Sequence, residues 1–246
     1  MSKLLIANWK MNPAKEAEAV KLAKAVDAEN VIICPPFLFI EAVSKVVKKA
    51  AIGAQDVFWQ ESGAFTGEVS AAELNSLSAQ HVIVGHSERR ALGETDEQVA
   101  KKVSAALAQK ITPILCIGET REQRDAGQTR EVIDRQLRTA LSLIPVELSS
   151  DKPTAYIAYE PVWAISTNHQ AGDTAVATPQ DAAGVIHYMQ GIIRGVPIAP
   201  VFLYGGSVNI TNLSGFLAVP EIAGALVGSA SLKAAEFKKM IAIARG

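Results

Sequence analysis

Short apolar segments alternate with longer segments of helical periodicity along the chain. Runs of strand length, rich in Ile, Val and Ala, lie at 4–8, 31–34, 51–55, 81–85, 111–117, 154–159, 201–204 and 223–227. Apolar positions at helical spacing lie at 13–28, 38–49, 71–77, 96–109, 129–143 and 234–244. A further helix begins at Thr178-Pro179, a favourable N-cap and first-turn pair. Strands that alternate with helices in this way are typical of a parallel sheet.

The number of these units predicts how the sheet is built. Eight strands in 246 residues leave roughly 31 residues for each unit, the size of one strand with its crossover helix. Neither a linker nor a change of composition divides the chain, so 1–246 is predicted to be a single domain. Eight parallel strands can close into a (β/α)8 barrel, which removes both sheet edges. An open doubly wound sheet is the alternative, but no Gly-rich dinucleotide-binding turn follows the first strand.

Composition and charge exclude several classes of function. The 24 basic and 25 acidic residues give a net charge of −1, which argues against a nucleic-acid surface or a polybasic membrane patch. The apolar run at the N-terminus is too short for a signal peptide or a membrane helix. Cys34 and Cys116 lie in strand segments and are interpreted as buried thiols rather than a disulfide or metal site. We therefore expect a cytoplasmic protein with no nucleic-acid or membrane partner.

Glu160 is the first candidate for a functional residue. It follows the sixth strand, at the carboxyl end of the predicted barrel, where enzymes of this architecture carry their active sites. The stiff Pro-Val-Trp segment at 161–163 comes next, and the polar segment 165–177 behind it is a candidate mobile segment. Taken alone, a glutamate before a proline is more often a solvated loop residue, so the other strand ends decide the interpretation of Glu160.

The first and fourth strands also end in polar side chains. Asn8 and Lys10 follow the first strand, and their two-residue spacing puts both on one side if the chain stays extended. His86 follows the fourth strand in the sequence GHSERR and opens a short helix, whose positive end disfavours the charged imidazolium. Singly, Lys10 is more often a solvated surface residue, and His86 is more often a packing or capping residue.

Two glycine-bearing turns follow the last two strands. The sequence YGGSV lies at 204–208 and VGSAS at 227–231. Backbone N–H groups in such turns can converge on a phosphate. One such turn is weak evidence because glycines after strands are usually just turns. The pair, after strands seven and eight, matches the phosphate site that (β/α)8 barrels often use.

Several motifs carry a resemblance to a known family. In chain order they are ANWKMN, GAQDVFWQESGAFTGEVS, VIVGHSERR, ILCIGET, AYEPVWAI, YGGSV and ALVGSASL. With them the chain resembles triosephosphate isomerases over its whole length. The resemblance implies the (β/α)8 TIM barrel, a place in glycolysis and gluconeogenesis, and no cofactor or metal. It also implies interconversion of dihydroxyacetone phosphate and D-glyceraldehyde 3-phosphate through an enediol(ate).

The resemblance also implies roles for residues of this chain. Glu160 matches the family's base and His86 its electrophile, and both Asn8 and Lys10 line the site of catalysis and substrate binding. Supporting positions in the GHSERR motif are Ser87 and Glu88. The backbone positions that match the family's phosphate contacts are Ser166, Ser207, Gly228 and Ser229.

Departures from the family pattern leave alternatives open. The sequence Ser-Thr-Asn at 166–168 replaces the usual Gly-Thr-Gly, 169–173 lengthen the lid 161–177, and Gly228-Ser229 replaces a usual Gly-Gly pair. The alternatives are a sugar-phosphate-binding barrel with impaired turnover and an engineered scaffold. The presence of all four residues Asn8, Lys10, His86 and Glu160 favours the enzyme, because a protein that only binds has no use for a base opposite a histidine.

A long loop at 56–69 is predicted to serve assembly. Loops of this length in compact domains usually have a function, and Phe65 lies near its tip. The resemblance implies that Thr66 enters a neighbouring subunit near Asn8 and Lys10. We therefore expect a homodimer formed through this loop.

Overall fold

Eight parallel strands form a closed barrel in the computed structural model of the protein. The structure describes residues 2–144, 155–165, 177–194, 196, 198 and 200–246. Each strand pairs with the next in chain order and the last pairs with the first. The strands are β1 (Leu4–Asn8), β2 (Val31–Cys34), β3 (Ala51–Ala54), β4 (His81–Val84), β5 (Thr112–Ile117), β6 (Tyr156–Tyr159), β7 (Val201–Tyr204) and β8 (Gly224–Val227). The predicted (β/α)8 barrel is confirmed, and the open-sheet alternative is wrong.

Helices connect the strands around the outside of the barrel. They are α1 (Glu16–Val26), α2 (Ile40–Ser44), α3 (Ala71–Ser76), α4 (Ser87–Ala91), α5 (Asp96–Ala108), α6 (Arg121–Asp125), α7 (Thr129–Leu141), α8 (Pro179–Ile192), α9 (Leu213–Leu217) and α10 (Ala234–Arg245). Short 3-10 turns lie at Phe37–Phe39, Val162–Ala164 and Ser229–Leu232. In the described part of the chain, no helix is long and apolar enough to cross a membrane.

The predicted strands agree with the structure within one residue at each end, except at the start of β6. That strand was expected from 154 and begins at Tyr156; residue 154 lies outside the described part of the chain. β4 stops at Val84 rather than 85 because Gly85 has φ +74, in the left-handed region that ends an extended strand. Periodicity therefore located the strands, and local backbone geometry set their ends.

The largest error in the predicted helices concerns 38–49. The structure has a 3-10 turn at Phe37–Phe39 and then only five residues of α2. The Asp27 carboxylate accepts the backbone N–H groups of Lys48, Lys49 and Ala50 at 2.9, 2.8 and 2.8 Å. These bonds turn the chain into β3 and replace the helical bonds that a longer α2 would need. The predicted first helix, 13–28, is also shorter, at Glu16–Val26.

The hydrophobic core has two layers, separated by the barrel wall. Inside the barrel lie Ile6, Ile32, Cys34, Ile83, Ile114, Cys116, Ala158, Leu203 and Leu226. The larger layer fills the space between strands and helices; Leu5 and Ala7 belong to it, whereas Ile6 between them points inward. This alternation along each strand is what a barrel filled on both faces requires. Both cysteines are buried and free, as expected from the sequence.

His81 is a buried histidine at the amino end of β4, away from the strand ends that carry the candidate site. Its Nδ1 is buried without a hydrogen-bond partner among the described residues, and its ring lies 5.7 Å from that of Tyr156. Burial lowers the pKa of His81 to about 4, whereas an exposed imidazole titrates near 6.5. Between these pH values the unfolded chain binds a proton that the folded chain excludes, so stability falls as the pH falls.

We therefore expect His81→Phe to flatten the pH dependence of stability. From pH 7 to pH 4 the free energy of unfolding of the wild type should fall by about 3 kcal/mol more than that of the variant. Urea unfolding at several pH values measures this difference. The matched control is His187→Phe, at an exposed position on α8, which should keep the wild-type profile. Parallel pH profiles for the wild type and His81→Phe would contradict this interpretation.

Candidate active site

The carboxyl ends of the strands surround a cavity of about 380 Å³. Its lining includes all of the predicted site residues that the structure describes, apart from Ser87 and Glu88: Asn8, Lys10, His86, Glu160, Ser207, Gly228 and Ser229. Ser87 and Glu88 lie beside it on α4 and contact its lining. Ser166, the lid insertion 169–173 and most of the predicted lid lie outside the described residues.

The carboxylate of Glu160 is buried at the base of this cavity. The residue is 3% exposed. One of its carboxylate oxygens, Oε1, lies 3.0 Å from Nε2 of His86, and Oε2 accepts the backbone N–H of Ser87 at 2.9 Å. Ser87 thus holds Glu160 through its backbone, and its buried hydroxyl has no partner among the described residues. A desolvated carboxylate held by two donors beside an imidazole is suited to moving a proton.

The hydrogen bonds around His86 identify its protonation state. His86 is the N-cap of α4, and its Nδ1 accepts the backbone N–H of Glu88 at 3.1 Å. An Nδ1 that accepts a hydrogen bond carries a lone pair, so the ring is neutral and its proton is on Nε2. Nε2 is the atom that faces Glu160. The ring therefore presents a neutral N–H donor to the cavity.

Lys10 is held in a strained conformation at the edge of the cavity. Its φ is +52, a region that residues with a Cβ seldom adopt and that costs about 1–2 kcal/mol. Its N–H donates to Asn8 Oδ1 at 3.0 Å, and its carbonyl accepts from Gln55 Nε2 at 2.7 Å. Its Nζ lies 2.5 Å from Glu88 Oε1. The chain does not stay extended at Lys10, so the condition for placing Asn8 and Lys10 on one side by spacing is not met. Both residues nevertheless line the cavity.

Both glycine-bearing turns line the cavity, through Gly205–Val208 and Gly228–Ala230. A Cβ at Gly206 would overlap the Tyr204 hydroxyl, so this turn needs glycine. A Cβ at Gly228 would lie 3.9 Å from Lys10 Nζ, which places the second turn beside the cation. Ser229, where the family has a second glycine, is not in the left-handed region, so serine brings no backbone strain. In this conformation the Ser207 N–H donates to the Ala164 carbonyl at 3.3 Å.

A second buried carboxylate, Glu119, supports the segment that follows Glu160. It accepts hydrogen bonds from the Tyr159 hydroxyl at 3.1 Å and from the Trp163 indole at 3.0 Å. Burial and the adjacent carboxylate raise the pKa of Tyr159, so it stays protonated and donates. Arg124 lies 3.4 Å from Glu119 and 4.1 Å above the Trp163 ring. The sequence interpretation found Trp163 but gave Glu119, within the ILCIGET motif, no role.

Among the described residues, no set of three or more histidine, cysteine, aspartate or glutamate side chains is placed to hold a metal ion.

Comparison with known proteins gives a consistent result. Residues 3–244 match the model of the family described as triosephosphate isomerase. A triosephosphate isomerase of Roseiflexus sp. (strain RS-1) is 44% identical over 254 residues, which cover 97% of this chain and 96% of that protein. One from Caldanaerobacter subterraneus subsp. tengcongensis is 43% identical over 252 residues, covering 97% and 98%. One from Aquifex aeolicus is 41% identical over 254 residues, covering 98% and 99%.

The neutral state of His86 is open to direct measurement. At pH 7 the ¹⁵N chemical shifts of its ring should show one protonated and one unprotonated nitrogen, with the proton on Nε2, because Nδ1 is occupied by the Glu88 N–H. Exposed His187 serves as the internal reference in the same spectrum. Two protonated ring nitrogens on His86 at pH 7 would be inconsistent with this geometry.

Proposed function

The chain belongs to the triosephosphate isomerase family, and we propose that it interconverts dihydroxyacetone phosphate and D-glyceraldehyde 3-phosphate at this cavity. The observation that carries the proposal is the 3.0 Å approach of the Glu160 carboxylate to Nε2 of a neutral His86. The alternative of a phosphate-binding or scaffold barrel finds no support in the family match or its relatives.

Glu160 acts as the base in this reaction. Its carboxylate leaves the Ser87 N–H, takes the proton from C1 of dihydroxyacetone phosphate, and returns it to C2 of the enediolate. The Nε2–H of His86 leaves Glu160, gives its proton to the substrate oxygen O2 as charge develops there, and the ring takes back the hydroxyl proton of O1. C1 thereby becomes the aldehyde carbonyl and C2 carries the hydroxyl. A positioned base contributes about 10²–10⁴-fold, or roughly 3–5 kcal/mol of barrier. A neutral donor suits this step, because the enediol is itself only weakly acidic.

Lys10 and the glycine-bearing turns bind the charged parts of the substrate. Lys10 supplies a positive charge beside Gly228 and close to where the oxyanion forms. The N–H groups of Gly228 and Ser229 are directed at the phosphate, and those of Ser166 and Ser207 join them when the ligand is bound. For the Ser207 N–H this requires that its bond to the Ala164 carbonyl break. The Ala164 carbonyl belongs to the proposed lid 161–177, so phosphate binding and lid movement are coupled here.

The remaining expectations from the sequence extend the proposal. The reaction uses no cofactor and no metal, since Glu160, His86 and Lys10 supply the base, the donor and the charge. The protein works in the cytoplasm as one domain over 1–246, and it has no nucleic-acid partner.

Homodimer assembly through the loop 56–69 completes the proposed function. Within this loop the ring of Phe58 lies 4.1 Å from that of Trp59 and 4.8 Å from that of Phe65, which pre-organises the loop. Phe65 is nevertheless 42% exposed, and Met11, next to Lys10, is 92% exposed. Large exposed apolar side chains at a loop tip and beside the site are typical of a protein interface. The partner's loop covers this surface, with Thr66 directed towards Asn8 and Lys10.

We expect Glu160→Gln to abolish most of the activity and leave the fold intact. The amide keeps the shape of the side chain but cannot accept the proton, so kcat should fall by about 10²–10⁴-fold while KM changes little. A coupled assay with D-glyceraldehyde 3-phosphate measures both constants, and the far-UV spectrum checks the fold. Glu122→Gln, at an exposed position on α6, is the matched control and should keep full activity. A kcat close to wild type in Glu160→Gln would exclude this residue as the base.

A charge at the tip of the loop should separate the subunits. Thr66→Arg is expected to sediment as a monomer at micromolar concentration and to lose at least tenfold in kcat, because a buried unpaired charge disfavours the interface. Gln128→Arg, an exposed position between α6 and α7, controls for the added charge and should remain a dimer. A Thr66→Arg monomer with full activity would refute the coupling of assembly to catalysis, and a monomeric wild type would refute the dimer.

A further inference from the structure

The backbone that carries Glu160 is aligned by the segment Ile117–Glu119, which continues beyond the end of β5. The Glu160 N–H donates to the Ile117 carbonyl at 2.8 Å, and the Val162 N–H donates to the Glu119 carbonyl at 3.1 Å. These bonds extend the parallel register of β5 and β6, in which Ile117 pairs with Tyr159, past the ends of both strands. The two residues on either side of Gly118 therefore set where the Glu160 backbone lies.

Gly118 itself packs directly against the Glu160 backbone. A Cβ at Gly118 would overlap the carbonyl oxygen of Glu160 and come within 3.3 Å of its Cα. The contact is between main chains, so no side-chain rotation can absorb a shift of Gly118. A displacement of Gly118 is thus passed to Glu160.

Gln136 on α7 holds Gly118 on both sides of its peptide unit. The Gly118 N–H donates to Gln136 Oε1 at 2.9 Å, and Gln136 Nε2 donates to the Gly118 carbonyl at 3.2 Å. Gln136 is itself buried, and its neighbours Ile133 and Leu137 are wholly inaccessible to solvent. The buried side chains on α7 hold the Gln136 amide in place. Its oxygen and its nitrogen are both hydrogen-bonded to Gly118.

We propose that Gln136 is a positioning residue for the base, acting through Gly118 on the Glu160 backbone. The inference rests on the proposed function, since it assigns a part in that reaction to a residue of the outer helix layer. Proton transfer requires the carboxylate to reach the substrate carbon within a few tenths of an ångström, and small misplacements lower the rate of the chemical step. In the proposed function, substrate affinity is set by Lys10 and the turns after β7 and β8, which line the cavity.

The test replaces Gln136 with Met, which has a similar length and neither hydrogen bond. We expect kcat to fall about tenfold with KM changed less than threefold. The deuterium isotope effect on kcat, measured with dihydroxyacetone phosphate deuterated at C1, should rise because proton transfer becomes slower relative to the other steps. Gln136→Glu keeps the acceptor for the Gly118 N–H and should recover part of kcat and lower the isotope effect again. If Gln136→Met does not fold, Gln136→Glu is compared with the wild type instead. It should show a smaller loss of kcat and a smaller rise of the isotope effect.

The control for lost stability is Ile133→Val. Ile133 is buried on the same helix, and its side chain makes no hydrogen bond to Gly118. The substitution removes one methylene and should lower the unfolding temperature without changing kcat or the isotope effect. The inference fails if Gln136→Met keeps a wild-type kcat and isotope effect, or if Ile133→Val loses as much kcat as Gln136→Met does. In either case Gln136 has only a structural role, and the proposed function still stands. If the wild type itself does not isomerise the substrate, the proposed function fails first.

Discussion

Hydrogen bonds between β1 and β8 join the two ends of the chain, with Leu4–Ala7 in register with Gly224–Val227. The pairing is close: a Cβ at Gly224 would overlap the Leu4 carbonyl, so this position accepts only glycine. Closure brings the loop after β1, with Lys10, against the turn after β8, with Gly228. Lys10 and the turn with Gly228 come from opposite ends of the sequence, and they line one cavity only because the sheet has no free edge. The rest of the cavity is built on the same closed ring of strand ends.

Burying charge in such a core is costly, and the structure compensates with specific donors. Glu160 has the Ser87 N–H and the His86 Nε2. Glu119, wholly buried, has the Tyr159 hydroxyl and the Trp163 indole. Each carboxylate is therefore solvated by protein groups of defined direction, which is what makes a desolvated charge both tolerable and useful for catalysis. The two carboxylates differ in their exposure to the cavity. Glu160 lines it, whereas Glu119 is wholly buried against the Pro-Val-Trp segment and does not.

Support for the site comes from outside the ring of strand ends as well. Gln55 holds the carbonyl of the strained Lys10, and Gln136 holds the peptide of Gly118. In both cases an uncharged amide bonds a backbone group beside a functional side chain, which fixes position without adding a charge that would compete for the substrate. Neutral amides suit this role because they offer a donor and an acceptor at once. The backbone on which the candidate site is built is thus held by residues outside the cavity lining.

The amino-acid sequence by itself determined the strands, the barrel and the residue types at the strand ends. Apolar periodicity is a local property, so the strand bounds could be predicted within about one residue, with β6 the exception. Motifs of contiguous residues, such as GHSERR and YEPVWAI, identified His86 and Glu160 before any geometry was known. Only the tertiary structure determined which groups these residues contact. Asp27 accepts backbone N–H groups of the segment after α2, Glu88 pairs with Lys10, and the Glu88 N–H fixes the tautomer of His86. Gln136 could not be found from the sequence, because it resembles any helical glutamine until the barrel places it against Gly118. Contacts of this kind join residues distant in the chain, and their geometry arises only when the ring of strands closes.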